Sequence, residues 1–422
     1  MPVDRPVDRP HLDSRARRSF GRDTLADLPP VRPSSTQAEH RGDASSTRAE
    51  PTRQDERITN LDAIRGVAVL GILVMNVVSY GFVETAPYFN LDAGGSVSRL
   101  DWLIGGAGEI LADQKFMGLF SMLFGAGIVL FADRAEAKGR QVVRFSLWRN
   151  FLLLLIGIGH TLIWDGDVLV VYALCAPILI ALRKLRPKPQ LALGTGVVLL
   201  SPLMALAAAD TVGAGGVGLG EYWFTDGRAI SDEVGIFLFA DFFVCALGMM
   251  LIGVALFRTG VITGDRPLAF YRRIAVWGLT IGLPLAALGL ATMAGSGFDP
   301  DLALPGTIPN TLGTIPMVFA YVGLITLWNL RPPTLLHIRV RAVGRMALTN
   351  YLLQTGLGIA VLRGLFDSGG MSRTGLALFV LVVWALQLWW SQWWLERYRY
   401  GPAEWLWRCG TYRRRQPMRI TD

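Results

Sequence analysis

The chain predicts an all-α, polytopic transmembrane helix bundle, and three observations carry that expectation. Apolar residues (AVILMFWYC) make up 52% of 422 residues and charged residues only 18%, where soluble domains carry about 25% charge. From Ile58 onward, long apolar runs alternate with short polar loops. Lysine and arginine crowd into alternate loops, the pattern of the positive-inside rule. Composition therefore excludes a disordered chain, a disulfide scaffold and an ordinary soluble enzyme.

Residues 1–57 stand apart. They hold the tandem repeat PVDRPVDRP, and eleven Arg nearly balance ten Asp plus Glu. With no apolar face to bury, the segment reads as a disordered, solvated cytoplasmic tail. It lacks the apolar stretch of a signal peptide. A spanning helix needs about 20 mostly apolar residues. Ten such spans are expected, at roughly 63–82, 114–132, 149–164, 168–183, 190–209, 236–257, 273–295, 310–330, 344–364 and 375–395. The runs are too long and too rich in Gly, Ala and Leu for strands. Leu100, Leu103, Ile104, Ala107, Ile110 and Leu111 recur at helical spacing, with Asp101, Glu109 and Asp113 between them. That segment reads as an interfacial amphipathic helix feeding the second span.

Orientation follows from the cations. Counting alternate loops, 35 of 41 Lys plus Arg fall on the side of the N-terminal tail. Both termini are therefore expected in the cytoplasm and the chain in the plasma (inner) membrane. The sequence pI is about 9.7, but these cations lie in loops rather than on one face, so no nucleic-acid partner is implied. Cys175, Cys245 and Cys409 are scattered, which builds neither a disulfide framework nor a zinc site. His11, His40, His160 and His337 share no metal-ligand spacing, so no metal is expected.

Four stretches could carry chemistry. In the first, Asp62 and Arg65 stand three apart on one face of the opening helix, with Asn76 deeper in the same run. They read either as an interface anchor or as contacts to an anionic substrate or cofactor at the cytoplasmic mouth. Asn76 must find a partner inside the bundle. The second stretch is Gly157-Ile158-Gly159-His160, which leads into the turn Trp164-Asp165-Gly166-Asp167. Phe151–Trp164 spans about 21 Å at 1.5 Å per residue, short of the hydrocarbon thickness of about 30 Å. Either Arg149 and Asn150 are drawn into the helix, or the turn lies below the outer surface in a wet depression. A histidine beside carboxylates is a general-base arrangement. A core histidine bonded to a neighbouring helix is the structural alternative, and Gly157 and Gly159 could simply let helices approach.

In the third stretch, Lys115 is the one lysine on the acidic side, either paired with Asp165 or Asp167 or anchored at the interface. Gly125 and Gly127, ten and twelve residues on, read as packing residues. The fourth stretch joins Gly344-Arg345-Met346-Ala347-Leu348-Thr349-Asn350-Tyr351 with Tyr400-Gly401-Pro402-Ala403-Glu404-Trp405-Leu406-Trp407-Arg408. Gly-Pro followed by Glu reads as a helix start with an acidic first turn. Trp405 and Trp407 suit the interfacial belt.

Taken together, LDAIRG, KFMGLFSMLFGAG, GIGHTLIWDGDVLVVYA, GRMALTNYLLQ and YGPAEWLWR resemble the YeiB-like family of bacterial membrane proteins. The resemblance covers about residues 58–412, with the motifs in family order. It implies an N-terminal membrane half (58–235) similar to transmembrane acyltransferases. It also implies a C-terminal half (236–412) catalogued as domain of unknown function number 418, with a basic tail (413–422) after it. Those acyltransferases share the LDxxRG opening and move an acyl group from cytoplasmic acyl-CoA across the membrane. They carry a histidine after the first or second span; here none lies between Leu61 and Gly159, and His160 is the candidate equivalent.

Two functions follow as expectations. As an acyltransferase, the chain would hold acyl-CoA phosphates with Arg65 and the basic loops. His160, oriented by Asp165 or Asp167, would deprotonate a small-molecule or envelope-glycan acceptor. As a transporter of a small solute, His160 and the Asp pair would relay protons. No inverted repeat is visible, which weighs mildly against a typical secondary transporter. A tunnel joining Asp62 and Arg65 to His160 would favour acyl transfer.

Overall fold

The structure, a computed structural model, describes residues 58–82, 85–366 and 371–420. The expectation for residues 1–57 lies outside the described residues. Fifteen α-helices are present among the described residues. They are α1 (Thr59–Gly81), α2 (Ala86–Phe89), α3 (Arg99–Leu111), α4 (Lys115–Ala137), α5 (Val142–Thr161), α6 (Leu169–Leu182), α7 (Pro187–Val198), α8 (Leu200–Ala208), α9 (Asp232–Arg258), α10 (Leu268–Gly295), α11 (Ile308–Asn329), α12 (Leu335–Arg345), α13 (Ala347–Gly358), α14 (Arg373–Leu395) and α15 (Pro402–Tyr412). Among the described residues, eight helical stretches are long and apolar enough to cross a membrane. The chain is thus an all-α polytopic membrane protein. The other two expected spans fall on α6, of 14 residues, and on α13, which a π-helical turn continues to Arg363.

α5 is longer than the apolar run that suggested it. It starts at Val142, so Arg149 and Asn150 are drawn into the helix. Arg149 is accommodated by stacking its guanidinium 4.2 Å from the ring centres of both Phe131 and Trp407. Asn150 Nδ2 donates to Ser146 O.

Small residues set the helix crossings, as expected where lipid offers no hydrophobic drive between helices. α4 runs through the middle of the bundle against α9. A Cβ on Gly125 would lie 2.4 Å from Met250 O, and one on Gly253 only 1.9 Å from Met122 O. α1 and α12 meet the same way, Gly66 against Val340 O and Gly344 against Asp62 O. Gly66 and Gly344 belong to the LDAIRG and GRM motifs, so both motifs are partly packing signals. Helices from either side of residue 235 share one apolar core, with Leu73, Met122, Tyr172, Met250 and Val318 fully buried in it.

α3 forms as the periodicity predicts, started by a capping box between Ser98 and Asp101. Its apolar stripe, Leu100 and Leu103 among it, is exposed, while Asp101, Gly105 and Gly106 are buried. A second apolar core lies at the acidic end of the bundle, built from Leu91, Leu219, Tyr222, Trp223, Phe298 and Leu304. These segments lie between the expected spans. They fold through 3₁₀ turns in which Gly216 and Gly220 take positive φ, a conformation glycine adopts without steric cost.

Candidate functional site: a basic cavity beside a histidine–aspartate pair

The turn after α5 places His160 against Asp167. His160 Nδ1 lies 2.7 Å from Asp167 Oδ1, and the side chains are 5% and 0% exposed. Asp167 Oδ2 accepts from Val170 N at 3.0 Å, so the carboxylate also caps the start of α6. The Tyr351 hydroxyl on α13 donates to Asp167 Oδ1 at 3.3 Å. An ionised Asp167 can only accept, so it selects the tautomer in which His160 Nδ1–H donates. His160 Nε2 is then the nitrogen with the lone pair, and it is buried with no hydrogen-bond partner among the described residues. This is the arrangement of an oriented general base.

The walls are aromatic and hydroxylic. Trp164 stands edge-on to Tyr80 at 4.9 Å and donates to Ser79 Oγ at 3.1 Å. Tyr80 and Thr355 hydroxyls bond at 2.9 Å. Arg363 donates to the carbonyls of Ser79 and Tyr80, a cation at the C-terminal end of α1. Asn76 meets the Tyr80 side chain as a hydrogen-bond partner, while its Nδ2 is buried without a hydrogen bond among the described residues. Asp165 is exposed, so of the two turn carboxylates Asp167 alone meets His160. Gly157 packs tightly on Val170 N, whereas nothing lies near a Cβ on Gly159; only the first glycine serves close approach.

Lys115 goes elsewhere. It is fully buried, and donates to Glu109 O at 3.0 Å and to Asn310 Oδ1. Asn310 Nδ2 in turn donates to Asp113 Oδ2 at 2.8 Å. The expected pairing with Asp165 or Asp167 is thus replaced by a separate network at the acidic end. The cause is local: Gln114 turns the chain sharply with φ of 59°, which aims Lys115 inward beneath α3.

From the arginine-rich end, a cavity of about 490 Å³ enters the bundle, within the range of about 300–1,000 Å³ usual for ligand sites. Asp62 and Arg65 are both on its wall and pair at 3.3 Å. The other charged lining residues are Arg134, Lys138, Arg140, Arg149, Arg345, Arg399, Arg408 and Glu404. Eight cations therefore face two carboxylates. Arg345 Nε and Nη2 are buried with no hydrogen-bond partner among the described residues, as is Ser146 Oγ on the same wall. Further in, the lining turns apolar: Phe120, Leu123, Phe124, Leu153 and Leu169. Tyr351 also lines the cavity. His160 and Asp167 do not; Tyr351 stands between them and the cavity, so the expected tunnel from Asp62 and Arg65 to His160 is not continuous in this structure.

Gly127 faces this cavity with nothing within 4 Å of a Cβ. It is not the packing residue its spacing suggested; Gly125 is.

The two C-terminal motifs interlock at the mouth. Glu404 Oε1 accepts from Leu348 N at 2.7 Å and Thr349 N at 3.1 Å. Its Oε2 accepts from Thr349 Oγ1 at 2.5 Å. The carboxylate thereby caps α13, not the start of its own helix. Gly401 has no room for a Cβ beside Glu404. Trp407 is no belt residue: its Nε1 donates to Arg149 O at 2.9 Å and it lines the cavity.

Sequence reasoning missed Tyr351 and Arg345, although both stand in a motif it singled out. The available signal was Arg345, a cation six residues before a tyrosine in an otherwise apolar run.

Residues 256–414 match the family model described as protein of unknown function (DUF418). The chain is 34% identical to the uncharacterized protein YeiB of Escherichia coli K12 over 390 residues, covering 86% of this chain and 98% of that one. It is 29% identical to the uncharacterized protein YxaH of Bacillus subtilis 168, covering 87% and 98%.

Proposed function

The chain belongs to the YeiB-like, DUF418 family of membrane proteins, and on that footing we propose that it transfers an acyl group from cytoplasmic acyl-CoA to an acceptor at the outer face. The proposal includes ten spans, both termini in the cytoplasm and residence in the cell membrane, in keeping with the cation bias. One observation carries the reading: a cavity whose cationic mouth narrows to an apolar interior ending at Tyr351, the residue that bonds the partner of His160. An acyl-CoA has matching parts. Its phosphates suit guanidinium groups, which bind them with charge-assisted bonds. Its acyl chain suits the apolar wall. Arg345, with two unbonded nitrogens, is the residue best placed to meet a phosphate.

In this mechanism the acceptor hydroxyl or amine approaches His160 Nε2, which takes its proton. The acceptor heteroatom attacks the thioester carbon, the C–S bond breaks, and the thiolate receives the proton. Asp167 holds the imidazole tautomer and balances the imidazolium. Tyr351 fixes Asp167 from the cavity side. Envelope glycans and small hydroxyl or amine compounds fit the acceptor role.

The deciding experiment is binding of CoA and acyl-CoA to the purified protein, followed by transfer of a labelled acyl group. Saturable binding weakened about tenfold or more by Arg345→Gln and by Arg65→Gln is expected, since a charged hydrogen bond contributes about 1.5–3 kcal/mol. Absence of saturable binding would overturn the reading. Proton uptake driven by a solute gradient, without acyl-CoA binding, would support transport through the same His160–Asp167 pair instead.

A further inference from the structure

A second basic feature lies apart from the cavity. A groove runs between the start of α5, the end of α6 and the segment after α15, lined by Arg144, Leu147, Trp148, Phe151, Arg183 and Arg413 among others. Among the described residues no carboxylate lines it. Arg144 and Arg413 are exposed. Arg413 sits in the left-handed region at φ 51°, which costs a non-glycine residue about 1–2 kcal/mol. That backbone lays its guanidinium 4.5 Å from the Trp148 ring centre, and Trp148 Nε1 donates to Gly410 O at 3.1 Å. Arg183 donates to Ile180 O and lies 3.8 Å from Glu136, which is closer to Lys184 at 3.1 Å. Arg183 Nε is buried with no hydrogen-bond partner among the described residues. Beyond the arginines, α5 exposes Val143, Leu147, Phe151 and Leu155 in one stripe, four residues apart on one helical face and about 18 Å long.

We propose that this groove binds an anionic phospholipid, its phosphate between Arg144, Arg183 and Arg413 and an acyl chain along the α5 stripe. A soluble anion would satisfy the guanidinium groups and leave the stripe bare. A zwitterionic lipid would bring an ammonium among three cations. An anionic lipid matches both halves, the chemistry by which basic pockets at a membrane surface select their lipids. The site has a structural consequence. Arg413 follows α15 directly, and Trp407, Arg408, Thr411 and Tyr412 of α15 line the cavity. A lipid bridging Arg413 to α5 and α6 therefore holds one wall of the cavity in place.

The test uses the purified full chain in neutral detergent, with phosphatidylglycerol, phosphatidylcholine or inorganic phosphate added. Thermal midpoint and lipid retention by native mass spectrometry are measured. Phosphatidylglycerol should raise the midpoint by about 3 °C or more and stay bound; the other two should do neither. The R144Q/R413Q variant should lose that rise and retain at least fivefold less lipid. R144Q alone, at an exposed side chain outside the cavity, guards against a folding defect and should show a partial loss. An equal rise in the double variant overturns the proposal, as does an equal rise with phosphatidylcholine. Phosphate reproducing the effect would mean a free-anion site and would overturn it too. No acyl-CoA enters the assay, so its failure and that of the acyl-transfer reading are distinguishable.

Discussion

The Tyr351 hydroxyl lies 3.3 Å from Asp167 Oδ1 while the same residue forms part of the cavity wall. It is the one described residue shared by the two halves of the candidate site. Its ring lines the cavity and its hydroxyl bonds the histidine–aspartate pair. Tyr351→Phe separates the two. The ring stays, so acyl-CoA affinity should change less than about twofold. The hydrogen bond to Asp167 goes, at a cost of about 1.5–3 kcal/mol to a charged acceptor, so transfer should fall about tenfold or more. Equilibrium binding and single-turnover transfer on the same preparation check both. A loss confined to affinity would make Tyr351 a wall residue only.

His160→Gln and Asp167→Asn probe the pair itself. Gln keeps hydrogen-bonding capacity and cannot take the proton, so folding should persist and transfer should vanish. Asn keeps the shape of Asp167 but removes the charge that fixes the imidazole tautomer, and the drop should be of similar kind. Full-level transfer by His160→Gln, with normal membrane accumulation, would make His160 a structural core histidine.

Gly125 and Gly127 differ by two residues and should behave oppositely. A Cβ at 125 would collide with Met250 backbone at 2.4 Å, and backbone cannot move aside cheaply. Gly125→Ala is expected to lower stability by about 1–3 kcal/mol, the usual cost of overpacking. Gly127 has open space within 4 Å and faces the cavity. Gly127→Leu should leave the thermal midpoint almost unchanged and block acyl-CoA binding. Thermal unfolding in detergent, read beside ligand binding, distinguishes the two; unfolding by Gly127→Leu would show that the space is needed for packing.

These contrasts mark what a sequence can disclose. The apolar runs specify the spans because length and hydropathy are local properties. α6 and α13 carry the same apolar signal over fewer residues, and nothing in composition separates a 14-residue helix from a 20-residue one. His160 and Asp167 were legible because a seven-residue separation across a turn is still local. The meeting of Tyr351 with Asp167, 184 residues apart, depends on how α13 packs, which no spacing records. Lys115 was misdirected for the same reason. Its charge suggested Asp165 or Asp167, but the reversal at Gln114 aims it at the Glu109 carbonyl and at Asn310, through which it reaches Asp113. Glu404 read as an ordinary first-turn acid, and only the fold reveals that its carboxylate serves another helix.

The Glu404 cap gives the last prediction. Its carboxylate accepts from Leu348 N, Thr349 N and Thr349 Oγ1, bonds that favour the charged form. Burial opposes them and is the larger effect, so the carboxyl is pushed above its ordinary value. The sign of the pH dependence follows. The unfolded chain loses this proton at the ordinary value, about pH 4.3, while the folded protein still holds it. The folded state then binds more protons, so stability falls as pH rises. The contribution is fully present below the ordinary value and is lost as pH passes the raised folded value; above that it is level. Glu404→Gln carries no titrating group and keeps an acceptor for the α13 amides. The stability of the natural protein relative to Glu404→Gln should therefore decline as pH rises from 4 toward neutrality. Glu404→Ala should cost about 1–3 kcal/mol throughout, because buried amides at the start of α13 lose their acceptor. Thermal midpoints of the three proteins across pH 4–8 provide the measurement, with background titrations cancelling in the differences. A natural-minus-Gln difference that rose with pH would mean that the three donors outweigh burial and that the carboxylate is held ionised in the fold.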